Sequence, residues 1–401
     1  MRAFASPSVA RRGPRLRGRE SRPLSVLVAA SLCAHCGSPP VTPRQVSHSA
    51  AGAYEAALAA TDTGFIAAWY DVRDGNGEIY VRTLDGEGQP RGSETRLTSN
   101  PAESYEPSIA ASPGGRVVVG WYDKATDGTL TARVGLWSAA GMNIWTNTLP
   151  GGGRNPVVGV DRGQIVTAWI RPAAAGDGEE VWTAYWNEAG EPIGMPRRLG
   201  MAHRTTWNVN LDVDDAGIAW VVWDAVWQTR ASELFLARLT PQGASVTLLT
   251  NDDGHASKYP DVAIRANDAA LTWFDARDGN TEVYLFAGPA GELTSQLDDR
   301  AQRVTDTRGE SIGAYLAWNG PRIGLAWCDD TVGQHEIYFQ TFDRRGRALA
   351  ASRRVTDNSM SSLIPAVEPW RNGFALAWSE FVPATPGGHG GRSEIAFALV
   401  P

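Results

Sequence analysis

Trp69-Tyr70-Asp71-Val72-Arg73-Asp74-Gly75-Asn76-Gly77-Glu78-Ile79-Tyr80 returns as Trp273-Phe274-Asp275-Ala276-Arg277-Asp278-Gly279-Asn280-Thr281-Glu282-Val283-Tyr284. Weaker copies lie between and beyond. Their tryptophans, Trp69, Trp121, Trp169, Trp223, Trp273, Trp327 and Trp378, stand 52, 48, 54, 50, 54 and 51 residues apart. Asp71, Asp123, Asp224, Asp275 and Asp329 follow within two positions, Glu380 makes a sixth acid, and only Trp169-Ile170-Arg171 departs. A period of about 50 residues marks an array of like units sharing one body.

Each unit reads as four short strands. In the second copy, Pro107-Ser108-Ile109-Ala110-Ala111 precedes a Pro113-Gly114-Gly115 turn and the run Arg116 to Trp121. Elsewhere a Glu-led strand follows (Glu78 to Leu84, Glu233 to Leu239, Glu282 to Leu285, Glu336 to Phe342), then a Gly-rich turn and a short fourth strand. These are β-branched and aromatic runs bounded by turn residues, without helical periodicity. Four strands per unit is the arithmetic of a propeller blade. The fold class predicted is all-β, a seven-bladed β-propeller of four-stranded antiparallel blades. The blades fall at about 51–100, 101–150, 151–201, 202–252, 253–306, 307–357 and 358–401 plus 40–50.

Closure is legible at the ends. The last unit stops after its third strand at Val400, and Thr42 to Ser47 aligns with Glu94 to Ser99, a fourth strand. The N-terminal strand is therefore expected to complete the last blade and remove an open edge. Ala68, Gly120, Ala168, Val222, Thr272, Ala326 and Ala377, just before the tryptophans, are small or slender. Strand alternation puts them on the opposite face, so each tryptophan is expected to wedge between neighbouring sheets, burying about 200 Å².

The repeat resembles the Trp-Tyr-Asp-x-Arg-Asp-Gly-Asn-x-Glu-Ile-Tyr propeller repeats of secreted and lipoprotein-like bacterial proteins, grouped loosely with sialidase-like propellers. The resemblance covers residues 40–401 and implies fold rather than activity. Sialidases carry a Phe/Tyr-Arg-Ile-Pro motif and Ser-x-Asp-x-Gly-x-x-Trp boxes on six blades, and this chain has neither.

Charge and the chain start narrow the function classes. Net charge is −7, yet the first 22 residues hold seven Arg against one Glu, leaving about −13 for the rest. Such a body repels a phosphate backbone, so nucleic acid is not an expected partner. Arg2 to Arg22 followed by the apolar run Leu24 to Leu32 has the order of an export signal, assigned to residues 1–36. Cys36, or Cys33, is the candidate lipid-anchor position. An exported protein is expected, periplasmic, anchored at the outer membrane or extracellular, and monomeric. Cys328, beside a repeat tryptophan, is expected to be buried and inert.

The second-to-third-strand turn and the loop entering the next blade open on one face of the disc. That face is expected to carry the acids Asp71, Asp123, Asp224, Asp275 and Asp329 with Arg171 where the acid is missing. It also carries Tyr54, Tyr105, Trp207 and Tyr259 ahead of the inner strands. Aromatic faces beside carboxylates suit a glycan, peptide or protein partner, and the competing reading has each Asp capping its own turn. The Asp-Gly loops have the oxygen ligands of a calcium site, which Arg73 and Arg277 oppose; calcium stays open as an alternative to no cofactor. The expected function is non-catalytic binding. The alternative is a glycoside hydrolase or lyase using acids of the same ring, which would break the repeat and leave unpaired acids in an axial pocket. Blades three and four, with Arg171, Trp207, Trp220, Trp227 and Arg230, break it most visibly. Asp252-Asp253-Gly254-His255, the most polar unrepeated cluster, reads as a surface loop.

Overall fold

A computed structural model describes residues 41–401 except 175–177, 229, 241–242, 296 and 383–390. Residues 1–36, where an export signal is expected, with Cys33 and Cys36, lie outside the described residues. The chain from Val41 to Pro401 forms seven four-stranded antiparallel sheets. Six are runs of consecutive strands, beginning with the innermost strands Ala53–Thr61, Glu103–Ser112, Arg154–Asp161, Thr206–Val213, Ser257–Arg265 and Ser311–Asn319. The seventh takes Ser361–Trp370, Gly373–Val382 and Arg392–Val400 from the C-terminus and Arg44–Gln45 from the N-terminus. Arg44 pairs with Phe397 and Gln45 with Ala396, so the last blade closes as the sequence ends require. Helix is confined, among the described residues, to two single 3₁₀ turns, Pro113–Gly115 and Ala290–Glu292.

The tryptophans wedge adjacent blades together. Trp121 lies among Ile66, Ala68, Ile79 and Val81 of the first blade. Trp273 lies among Val222, Leu234 and Leu236 of the fourth, and Trp378 among Ala326, Cys328 and Ile337 of the sixth. Trp69 closes the ring against Ala375, Ala377, Ile395 and Phe397 of the seventh. Each small residue thus makes room for the next blade's indole. At Gly120 the approach is tighter still, since a Cβ would stand 2.9 Å from the Pro156 carbonyl oxygen. Cys328 is buried among these residues, and burial pushes its thiol up to about 12.

The inner edges of the innermost strands face the axis and lack a strand partner, so their N–H groups need other acceptors. Side chains from the preceding blade supply them. Asp212 accepts from Ile264 N at 2.6 Å, Asp261 from Leu316 N at 2.9 Å, and Ser108 from Val158 N at 3.2 Å. Glu368 accepts likewise from the backbone of Ala60. Burial lifts these three carboxyls, Asp212 to about 6, Asp261 to about 7 and Glu368 to about 8. Asp212 and Asp261, from blades four and five, raise the seventh blade's Glu368 further by charge repulsion across the axis.

Candidate functional site at the axial mouth

The acids that trail the tryptophans are not a rim. Asp71, Asp123, Asp275 and Asp329 are at most 4% exposed. Because residues two apart share a strand face, each carboxylate folds back beside its own indole. Trp69, Trp121 and Trp273 donate their Nε1–H to Asp71, Asp123 and Asp275 at 3.1, 3.0 and 3.2 Å. Serines Ser49, Ser104, Ser257 and Ser311 donate to the four carboxylates at 2.7–2.8 Å. Burial alone would raise Asp71 and Asp275, but hydrogen bonds from arginine and serine outweigh it and hold both below the usual carboxylate range. The expected acidic ring is therefore a correction: it staples blades from within.

The same contacts bear on calcium. The Arg73 guanidinium bridges Asp71 and Glu94, each at 2.5 Å, and Arg277 bridges Asp275 at 2.5 Å and Asp298 at 2.6 Å. A guanidinium thus occupies the place a cation would need. Arg171, expected at a ligand face, instead lies 3.7 Å over the Trp182 ring and 3.6 Å from Glu180. It replaces the missing acid, and Trp169 Nε1 is left without a partner.

Asp224 differs from the other four. It pairs with Leu234, whereas Asp71 pairs with Glu78, the counterpart of Glu233. One residue of offset turns Asp224 to the opposite face, the position held by Tyr70 and Tyr122 in blades one and two. There it accepts from Asn208 N and Ser232 Oγ, each at 3.0 Å, and burial raises it to about 7.

The innermost strands build the site that Asp224 faces. Every one carries a register shift near its start, as between Tyr54 and Ala57 or Tyr105 and Ser108. The first residue of each bulge is Glu55, Glu106, Asn155, Trp207, Tyr259, Gly313 or Ile364 in blade order. Glu55, Glu106, Asn155, Tyr259 and Ile364 hold φ of 50–56°, a left-handed conformation costing about 1–3 kcal/mol for a non-glycine residue. Strained backbone of this kind clusters at binding and catalytic sites.

At this level the first two glutamates meet. Tyr122 donates to Glu106 Oε1 at 3.2 Å, and Asn155 Nδ2 donates to Oε2. Burial, then repulsion by Glu106, raises Glu55 to about 8, and burial raises Glu106 too. Oε2 of Glu55 is buried without a hydrogen-bond partner. The Tyr70 and Tyr122 phenols, buried and beside both glutamates, are held well above their ordinary range and stay protonated.

The predicted aromatics frame the mouth. Tyr54 stacks on Tyr70 at 5.1 Å, and Tyr105 meets Tyr70 at 5.0 Å and Tyr122 at 5.9 Å. Across from them Trp207 is 42% exposed with the Lys258 ammonium 4.4 Å over its ring, and Tyr259, 38% exposed, stacks on Phe274 at 5.4 Å. Sequence reading missed Glu55, Glu106 and Asn155, although Tyr54-Glu55 and Tyr105-Glu106 are adjacent to residues it selected. Among the described residues no three His, Cys, Asp or Glu side chains are grouped to hold a metal ion. Two surface cavities lie away from the axis: one of about 670 Å³ beside Leu130, Pro150 and Pro172, and one of about 470 Å³ beside Trp220, Arg238 and Pro289.

Known structures share this architecture. A protein of unknown function from Dyadobacter fermentans DSM 18053 aligns over 90% of this chain and 99% of its own, at TM-score 0.54 and 11% identity. The polysaccharide lyase Uly1 aligns over 86% and 90%, at 0.55 and 10%. The subtype N11 neuraminidase-like protein of A/flat-faced bat/Peru/033/2010 aligns over 90% and 94%, at 0.47 and 8%. At these identities the likeness to the first two shows the propeller fold alone. No protein-family model and no curated protein matches the chain.

Proposed function

We propose that the protein is a glycan-binding propeller whose site is the axial mouth built by Glu55, Glu106, Asn155, Asp224 and Tyr259, with Trp207 as an exposed stacking platform. The observation that carries this reading is the bulge level of the inner strands. Polar residues from five consecutive blades converge there, four of them in strained backbone, while the carboxylates of Asp71, Asp123, Asp275 and Asp329 are taken up by serines of the fold. Sugars suit such a mouth because aromatic faces take their apolar ring faces and carboxyl and amide groups take their hydroxyls. Export of the protein, supported by the Arg-rich start and the run Leu24 to Leu32, would bring it to envelope or extracellular glycans. The test is a glycan array probed with wild type and with Glu106→Ala. A hit lost in the variant supports the reading, and hits that persist in it sink it.

Hydrolysis is the second reading, and one observation favours it. Glu55, raised to about 8 beside a second carboxyl, is the protonated acid and partner that glycoside cleavage uses. A lyase is less well served, because a phenol base works best with its pKa brought down towards neutrality, and Tyr70 and Tyr122 are pushed the other way. Release of chromophore from aryl glycosides by the wild type, absent in Glu55→Gln, would move the reading from binding to catalysis.

A further inference from the structure

Acid exceeds available base in the axial mouth. Glu55, Glu106 and Asp224 all bear on Tyr259. Of the two bases nearby, Arg154 is held by Glu179 at 2.9 Å and by the Thr206 carbonyl at 2.6 Å, and Lys258 lies over Trp207. Among the described residues no basic group shifts Glu55, and its buried Oε2 accepts nothing. Around the pair runs an arc of rings from three blades: Phe381 to Tyr54 at 6.0 Å, Tyr54 to Tyr70 at 5.1 Å, Tyr70 to Tyr105 at 5.0 Å and Tyr105 to Tyr122 at 5.9 Å. Arg154 offsets Glu106 in part and Lys258 offsets Asp224, which leaves Glu55, set beside these π faces, as the carboxyl without a cation among the described residues.

We infer that the sugar bound in the axial mouth is an amino sugar with a free ammonium group, which sits between Glu55 and Glu106 against the tyrosine arc. This rests on the axial mouth being the glycan site. The proton balance follows from the pair. Without ligand at neutral pH Glu55, raised to about 8 by burial and by Glu106, holds a proton. An arriving ammonium stabilises both as carboxylates, so that proton leaves to solvent while the ammonium keeps its own three. The phenols of Tyr70, Tyr122 and Tyr259 remain protonated, and Arg154 stays with Glu179.

The experiment titrates the protein calorimetrically with a glucosamine tetramer, an N-acetylglucosamine tetramer and tri-lysine, in two buffers of different ionisation heat. The glucosamine tetramer is expected to bind at least about tenfold more tightly than its acetylated counterpart, a difference of about 1.4 kcal/mol, and to release close to one proton. Glu55→Gln is expected to remove the preference and the proton release together. Equal binding of both tetramers, or tighter binding of tri-lysine, overturns the inference. If neither tetramer binds while the array gives a Glu106-dependent ligand, the amino-sugar inference falls and the axial site stands. If the array gives none either, both fall.

Discussion

Replacing Asp275 by alanine separates a structural acid from a ligand-facing one. In the native blade its carboxylate, 1% exposed, accepts from Ser257 Oγ at 2.7 Å, Trp273 Nε1 at 3.2 Å, Arg277 N at 2.9 Å and Arg277 Nη2 at 2.5 Å. Alanine leaves a buried hydroxyl, an indole N–H and part of a guanidinium without an acceptor. Breaking a buried pair from one side costs about 3–5 kcal/mol, and because Arg277 keeps Asp298 at 2.6 Å the lower end applies. At about 2.1 cal/mol/K per residue, the body Val41–Pro401 unfolding as one unit has a transition entropy of about 0.8 kcal/mol/K. The melting temperature is therefore expected to fall by about 4 °C, followed by calorimetry at pH 7. Since the folded Asp275 carboxyl lies below its ordinary range, its contribution is present above a pH of about 4 and lost as pH falls through the folded value. The deficit of the variant should shrink accordingly in acid. A variant that melts within 1 °C of wild type but loses ligand would refute the reasoning and restore the acids as a rim.

Blade four offers the opposite experiment. Among the described residues buried Glu233 keeps only Thr250, at 2.7 Å, and is raised to about 8, whereas Glu78, Glu180, Glu282 and Glu336 each meet an arginine at 2.7–3.1 Å. Leu248 stands where those blades have arginine. Leu248→Arg is expected to stabilise the fold by about 1.5–3 kcal/mol above pH 8, where Glu233 is charged, seen as a raised melting temperature; an unchanged or lower value contradicts it. The axial carboxyls Asp212, Asp261 and Glu368, raised to about 6, 7 and 8, favour folding when protonated. Their contribution is full below a pH of about 4 and is lost as pH rises through 6–8, so denaturant midpoints of Asp261→Asn are expected to fall less between pH 6 and 9 than those of wild type. Trp207→Ala, at an exposed ring, is expected to leave the melting temperature within about 1 °C and weaken glycan binding about tenfold or more, measured by titration.

The fold was legible because the tryptophan period and the small residue before each indole are both consequences of one packing problem, the wedge between sheets. Closure was legible because an incomplete last unit and a spare first strand complement each other. The site was less so. In Trp-x-Asp the two side chains share a strand face, so alternation already pointed to the Asp71 to Trp69 hydrogen bond, and the rim reading overlooked it. The same rule marks Trp223-Asp224 as different, since one residue of offset turns that carboxyl to the axis. Glu55 and Glu106 were hidden for another reason. A bulge adds a residue to one strand and breaks the alternation on which facing arguments rest, and sequence alone does not announce it. Tyr54 and Tyr105 were found by their type, but the residues that follow them carry the charge.

Arg171 and Glu106 now divide the two readings of this protein. The sequence directs attention to Arg171, the one repeat position without its acid, and the axial geometry directs it to Glu106. Titration of the array-selected glycan into wild type, Arg171→Ala and Glu106→Ala, with folding checked by circular dichroism, compares them directly. The axial account predicts that Arg171→Ala binds within about twofold of wild type and that Glu106→Ala loses at least about tenfold, near 1.4 kcal/mol. Loss of binding in Arg171→Ala with Glu106→Ala unaffected would contradict it.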